Sequence, residues 1–245
     1  MYHRITAAMV VSALVAATSA SAQCPAVPEP RIPAAASPLN IDKVKDLLRD
    51  YHDTRYAQDM AAVYAVAQSY VEQRASGVIK PAVILDIDET VLSNWPDLAA
   101  DDFGFINNGR CDVLPDGPCG FNAWILKSEA EAFPSALNFF NAVKGKVATI
   151  FITSRRDNQR QATLWNLDRA GYEGWTKLVT RPDRDEFPTA EAFKTAARAK
   201  IETDDKYTLI ANIGDQLSDL EQQPGINAGK AECAFKLPNP FYFIK

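Results

Sequence analysis

The sequence predicts an α/β protein, a parallel sheet covered by helices on both faces, with an insert after the first strand and a helical extension ahead of it. Three observations predict this. Short apolar runs at residues 83–86, 147–153, 177–180, 207–213 and 234–237 alternate with helical periodicity at 130–143, 159–170 and 190–201. Apolar positions at Val44, Leu47, Leu48 and Tyr51, then at Met60, Val63, Tyr64, Ala67, Tyr70 and Val71, give the i, i+3, i+4, i+7 stripe of an N-terminal helical extension over about 41–76, ending near Gly77. The interval from Asn94 to about Pro134 holds turns, aromatics and two cysteines and is too long for a plain connection, so it reads as a lid.

A chain of 245 residues, 47% apolar and 23% charged, is long enough for one large domain carrying an insert. Its formal charge of -5 argues against a nucleic-acid polymer as partner. Only His3 and His52 are histidines, which excludes His-rich zinc sites and leaves carboxylates to do the chemistry.

Residues 1–22 run from His3 and Arg4 through a short apolar stretch to Ala20-Ser21-Ala22, the pattern of a cleavable export signal, so the mature chain is expected to start at Gln23, without a membrane anchor. Gln23 stands where lipoprotein processing at Cys24 needs a small residue, which argues against lipidation. Five of the 15 prolines fall between Cys24 and Pro38, marking residues 23–40 as an extended leader. Four cysteines in an exported chain imply two disulfides; of the three pairings, Cys111 with Cys119 across a turn-rich segment and Cys24 with Cys233 are favoured.

Four features sit at strand ends. Ala82-Val83-Ile84-Leu85 runs directly into Asp86-Ile87-Asp88, two carboxylates spaced by two. A buried strand ending in like charges needs a cation or a reaction to use them. A calcium loop starting at Asp86 would need glycine where Val91 stands and glutamate where Asp97 stands. The second feature is Thr153, a hydroxyl delivered by the strand Thr149-Ile150-Phe151-Ile152. The third is Lys194 near the start of a helix, and the fourth is Gly214-Asp215-Gln216-Leu217-Ser218-Asp219, again after a buried strand.

Taken in order, these resemble the four signature motifs of the haloacid dehalogenase superfamily. The stretches Asp86-Ile87-Asp88-Glu89-Thr90-Val91-Leu92-Ser93-Asn94, Asn166-Leu167, Ala170-Gly171-Tyr172, Phe193-Lys194 and Asn212-Ile213-Gly214-Asp215 look like its class B acid phosphatase family, which also contains plant vegetative storage proteins. The resemblance covers roughly residues 39–237. It implies a Rossmann-like core over 77–245, a small cap at about 94–134, Mg²⁺, and hydrolysis of small-molecule phosphomonoesters at acidic pH. Thr153-Ser154-Arg155 departs from the family's usual Thr-Gly-Arg but keeps the hydroxyl.

The roles implied are Asp86 as nucleophile, Asp88 as general acid and base, Thr153 and Lys194 as ligands of the transferring oxygens, and Asp219 as the residue orienting Lys194 or a metal-bound water. Asp86, Asp215 and the backbone carbonyl of Asp88 would hold the Mg²⁺. In the family, loss of activity in storage proteins goes with loss of the first aspartate, which is present here as Asp86. The insert carries Trp95, Phe103, Phe105, Phe121 and Trp124; of these, Trp95 and Trp124 are expected to contact the leaving group, which points to nucleoside monophosphates among the substrates.

Overall fold

The computed structural model describes residues 24–28, 40–184 and 186–244. The expected export signal and most of the proline-rich leader lie outside them.

Helix α1 (Ile41–Tyr51) begins where the Asn40 side chain accepts from the Asp42 N–H at 2.9 Å, a cap for an otherwise orphaned donor. A π-helical turn, His52–Tyr56, joins it to α2 (Ala57–Ala75). The stripe read from the sequence is the buried face of α2: Met60, Val63, Tyr64, Ala67, Tyr70 and Val71. Next come β1 (Pro81–Leu85), β2 (Leu92–Ser93), α3 (Trp95–Ala100), α4 (Phe121–Lys127) and β3 (Glu131–Ala132), with β2 and β3 pairing antiparallel at the root of the insert. The chain continues through α5 (Pro134–Val143), β4 (Ala148–Arg156), α6 (Arg160–Arg169), β5 (Lys177–Arg181), α7 (Ala190–Thr203), β6 (Thr208–Gly214), α8 (Leu217–Leu220) and β7 (Cys233–Lys236).

The helix expected over 130–143 starts only at Pro134. Proline suits the first helical turn, and its ring keeps Phe133 extended at φ -66°, ψ 123°, so 131–132 are left free to pair with β2.

The main sheet is parallel, in the order β5-β4-β1-β6-β7. Alternating residues face opposite ways: Ala82 and Ile84 join Ile150 and Ile152 under Phe193, Ala197 and Ile201 of α7, while Val83 and Leu85 join the larger core that takes in α2 and α5. From β1 the chain adds β4 and β5 on one side, then returns to add β6 and β7 on the other. The connection therefore reverses beside β1, and a crevice opens at the carboxyl ends of β1, β4 and β6. Leu85 is in register with both Phe151 and Ile213, so the residues that follow these three strands emerge together.

Both favoured disulfides form: Cys111–Cys119 within the insert, and Cys24–Cys233, which fastens the leader to β7 across 209 residues. Gly120 permits the packing inside the insert, because a Cβ there would lie 2.7 Å from the backbone of Gly109. No described helix is long and apolar enough to cross a membrane.

Non-reducing peptide mapping of the oxidised protein will join Cys24 to Cys233 and Cys111 to Cys119. Replacing Cys24 and Cys233 together by serine will lower the unfolding free energy in urea by about 2–5 kcal/mol, since the long loop is then unconstrained in the unfolded chain; a loss under about 0.5 kcal/mol would show that the bond does not constrain that state.

Candidate active site

Asp86 directly follows β1, and its N–H donates to Ile213 O at 3.1 Å, extending the ladder by one residue. The chain then turns sharply. Ile87 O accepts from the N–H groups of Val91 and Leu92, both at 2.9 Å, and Glu89 adopts a left-handed φ of 52°. This turn directs Asp88 into the same crevice, while the Thr90 hydroxyl donates to Asp215 Oδ1 at 3.1 Å. The helical extension braces the turn from behind through Tyr64, whose hydroxyl donates to Thr90 O at 2.9 Å.

Lys194 projects from the first turns of α7, whose start is capped by Thr189 accepting from the Ala192 N–H. Its Nζ donates to Asp86 Oδ1 at 2.6 Å and pairs with Asp219 Oδ1, and all three side chains are buried. Asp219 approaches so closely that a Cβ on Gly214 would lie 2.3 Å from its own Cβ, which is why glycine precedes Asp215. Asp219 Oδ2 accepts from the Gln216 N–H at 2.8 Å. Asp215 Oδ2 accepts from Gln216 Nε2 at 2.6 Å and from Asn239 Nδ2, beyond β7, at 2.7 Å.

Oxygens of Asp86, Asp215 and Asp219 lie within 4.8 Å of one another. Of these three, Asp86 and Asp219 contact the Lys194 ammonium, while Asp88 is paired with the guanidinium of Arg155 at 2.6 Å. Burial and the neighbouring Asp219 push the Asp86 carboxyl well up from its ordinary range, against the pull of Lys194. Burial and Asp219 likewise raise Asp215 to about 6, opposed by its hydrogen bonds from Asn239 and Gln216. Burial works to lower the pKa of Lys194, but Asp219 and Asp86 outweigh it and hold the ammonium charged. Three buried carboxyls thus crowd a site with one ammonium in contact, and their donors are all hard oxygens. That combination fits a divalent cation of the magnesium or calcium kind.

A cavity of about 550 Å³ opens on this cluster, with Asp86, Asp88, Arg155, Lys194 and Asp215 among the residues lining it. Its outer wall includes Phe105, Asn107, Asn108, Phe121 and Asn122 from the insert, and Tyr242 and Ile244 from the segment after β7. Phe105 lies 5.1 Å between centroids from both Phe121 and Tyr242.

The structure brings Asp86, Asp88, Lys194, Asp215 and Asp219 together. Thr153 lies at the same sheet edge but fully buried beneath the cavity lining, accepting from the Arg155 N–H at 3.1 Å; Ser154 and Arg155 reach the cavity instead. The two tryptophans expected at the leaving group do not line the cavity. Trp95 stacks on His52, with centroids 3.4 Å apart and planes 3° from parallel, inside an aromatic cluster with Phe103 and Phe241. Trp124 is 2% exposed and donates its indole N–H to Asn94 Oδ1 at 2.8 Å, as a buried indole must find an acceptor.

Arg155 and Asn94 stand within the sequence motifs but carry no role there, and no motif contains Tyr242 or Asn239. Arg155 had a signal, a cation two residues beyond the expected Thr153. Tyr242 and Asn239 had none, since they come from the far end of the chain.

Comparison with known proteins agrees with this geometry. The family model described as HAD superfamily, subfamily IIIB (Acid phosphatase) matches residues 11–245. The chain is 33% identical over 196 residues to a stem 28 kDa glycoprotein of Glycine max, covering 79% of this chain and 72% of that protein. It is 32% identical over 162 residues to acid phosphatase 1 of Solanum lycopersicum, covering 66% of this chain and 58% of that one. A class C acid phosphatase structure from Bacillus anthracis shares the fold, with a TM-score of 0.62 at 24% identity over 83% of this chain and 86% of its own. With the family model matched from near its first residue to its last, the chain belongs to the acid phosphatases of HAD subfamily IIIB.

Proposed function

We propose that the protein is an exported, Mg²⁺-dependent acid phosphatase that hydrolyses small organic phosphomonoesters, nucleoside monophosphates among them, through an aspartyl phosphate on Asp86. The observation that carries this reading is the separation of two carboxylates in one crevice: Asp86 is bound by Lys194, while Asp88 is bound by Arg155. One suits attack and the other proton transfer.

Phosphoryl transfer asks a protein chiefly to align a nucleophile and to neutralise oxygen charge. Asp86 attacks phosphorus as the bond to the leaving oxygen breaks, and Asp88 gives that oxygen its proton. Asp88 then takes a proton from the water that displaces Asp86, releasing inorganic phosphate. Lys194 offers its ammonium to the transferring oxygens and Asp219 keeps it in place. Thr153, buried beneath the lining, accepts from the Arg155 N–H and steadies the strand end from which Ser154 and Arg155 face the phosphoryl group. Asp86, Asp215 and the carbonyl of Asp88 would hold the Mg²⁺, which when bound neutralises phosphoryl oxygen charge.

The cavity wall supports a planar leaving group. Phe105, Phe121 and Tyr242 line it with aromatic side chains, and Asn107, Asn108 and Asn122 with amides. Export is supported by the two disulfides, which persist in oxidising compartments.

Asp86→Asn will fold and lose at least about 1,000-fold in kcat, and chelation will abolish activity until Mg²⁺ is restored. Substantial turnover by a folded Asp86→Asn protein would rule out the covalent route. Asp88→Asn will reduce kcat/KM for glycerol phosphate far more than for p-nitrophenyl phosphate, whose leaving group departs without a proton; equal losses would remove Asp88 as the acid. Phe105→Ala will reduce kcat/KM for a nucleoside monophosphate relative to glycerol phosphate by about 5- to 100-fold, the range of one lost ring stack, whereas Trp95→Ala will leave that ratio unchanged. A ratio unaffected by Phe105→Ala would exclude ring stacking there.

A further inference from the structure

The Asp88 carboxylate is held unevenly. Its Oδ1 accepts from Arg155 Nη2 at 2.6 Å, Arg155 Nε at 3.1 Å and Asn94 Nδ2 at 3.0 Å, whereas among the described residues Oδ2 accepts from Arg155 Nε alone, at 3.1 Å. A carboxylate has about two lone-pair sites on each oxygen, so Oδ1 is filled and Oδ2 keeps room for a proton.

Asn94 is completely buried, and its amide has a single workable orientation. Nδ2 gives its protons to two carboxylates, Asp88 Oδ1 and, at 2.9 Å, Glu89 Oε2, while Oδ1 accepts from the Trp124 indole. Flipping the amide would set its oxygen against two acceptors and its NH₂ against an N–H. Glu89 is fixed in turn by the Asn94 N–H at 2.6 Å and by the Tyr242 hydroxyl at 2.8 Å. Trp124 belongs to α4, so a continuous chain of hydrogen bonds runs from the insert to Asp88.

We propose that Asn94 is a positioning residue for proton transfer: with Arg155 it saturates Oδ1 of Asp88, leaves Oδ2 as the atom that carries the proton, and through Trp124 ties that orientation to the seating of the insert. This rests on the acid–base reading of Asp88. In the first half-reaction Asp86 bonds to phosphorus, the bond from phosphorus to the leaving oxygen breaks, and Oδ2–H protonates that oxygen. In the second, Oδ2 removes a proton from water as the water oxygen bonds to phosphorus and the bond to Asp86 breaks. Without Asn94, Oδ1 keeps only its Arg155 donors and the preference for a proton on Oδ2 weakens. Trp124 thereby acts on proton transfer from outside the cavity.

The test compares kcat/KM, which reports the first half-reaction, for glycerol phosphate and p-nitrophenyl phosphate in the Mg²⁺-loaded protein carrying Asn94→Ala, Trp124→Phe or Asp88→Asn. Asn94→Ala will lower kcat/KM for glycerol phosphate about 10- to 100-fold, the effect of one lost hydrogen bond to a charged group, and for the aryl ester by less than about threefold. Trp124→Phe keeps the packing and removes only the N–H donor, and will move the alkyl-to-aryl ratio the same way by about threefold. Equal losses on both esters in a folded Asn94→Ala protein, with Asp88→Asn selective, overturn the proposal and spare the role of Asp88. Equal losses in Asp88→Asn overturn both. Should Asn94→Ala not fold, Trp124→Phe decides, and an unchanged ratio overturns the proposal.

Discussion

Everything at the carboxyl edge of the sheet depends on one ammonium buried between two acids. A charge taken out of water is costly unless it is paired and hydrogen-bonded, and removing one member of such a group leaves the others uncompensated. Lys194 between Asp86 and Asp219 meets that condition, and it fixes where α7 and α8 must lie relative to β1. The glycine before Asp215 follows from the same demand, because Asp219 reaches the lysine only by crossing the space a side chain would fill. The surplus of carboxyls is then not a defect of packing; it is an oxygen donor set that a divalent ion would answer.

Outside this centre the chain uses distant segments as supports. Tyr64 of the extension holds the turn after β1, and Tyr242 and Asn239 reach back to Glu89 and Asp215. The insert contributes rings to the cavity and an indole to the network beneath it. The stacked His52 and Trp95 join the π-helical turn to the start of the insert. A substitution in any of these elements can therefore reach the crevice without touching substrate.

The strand ends were legible in the sequence because each is an abrupt step from a buried apolar run to a charge, as at Leu85-Asp86 and Gly214-Asp215. That step survives translation into structure, since a parallel strand covered on both faces has little freedom over where its first carboxylate emerges. The amphipathic face of α2 was legible for the same reason of periodicity. Trp124 was misleading because composition marks an aromatic as contact material, while a buried indole is governed by its N–H and by the nearest acceptor, here Asn94. Tyr242 and Asn239 were invisible because no local pattern marks a residue that matters only after β7 has docked against β6. The start of α5 was misjudged where periodicity ran on past a proline that limits its predecessor.

The bond from Asn239 to Asp215 has a temporal side. Residue 239 follows the last strand, and Cys233, which closes the link to Cys24, lies only six positions before it. A chain emerging from its amino end therefore displays Asp86 and Asp88 long before the segment that steadies Asp215 exists. The crevice stays incomplete until residues 239–244 have been made.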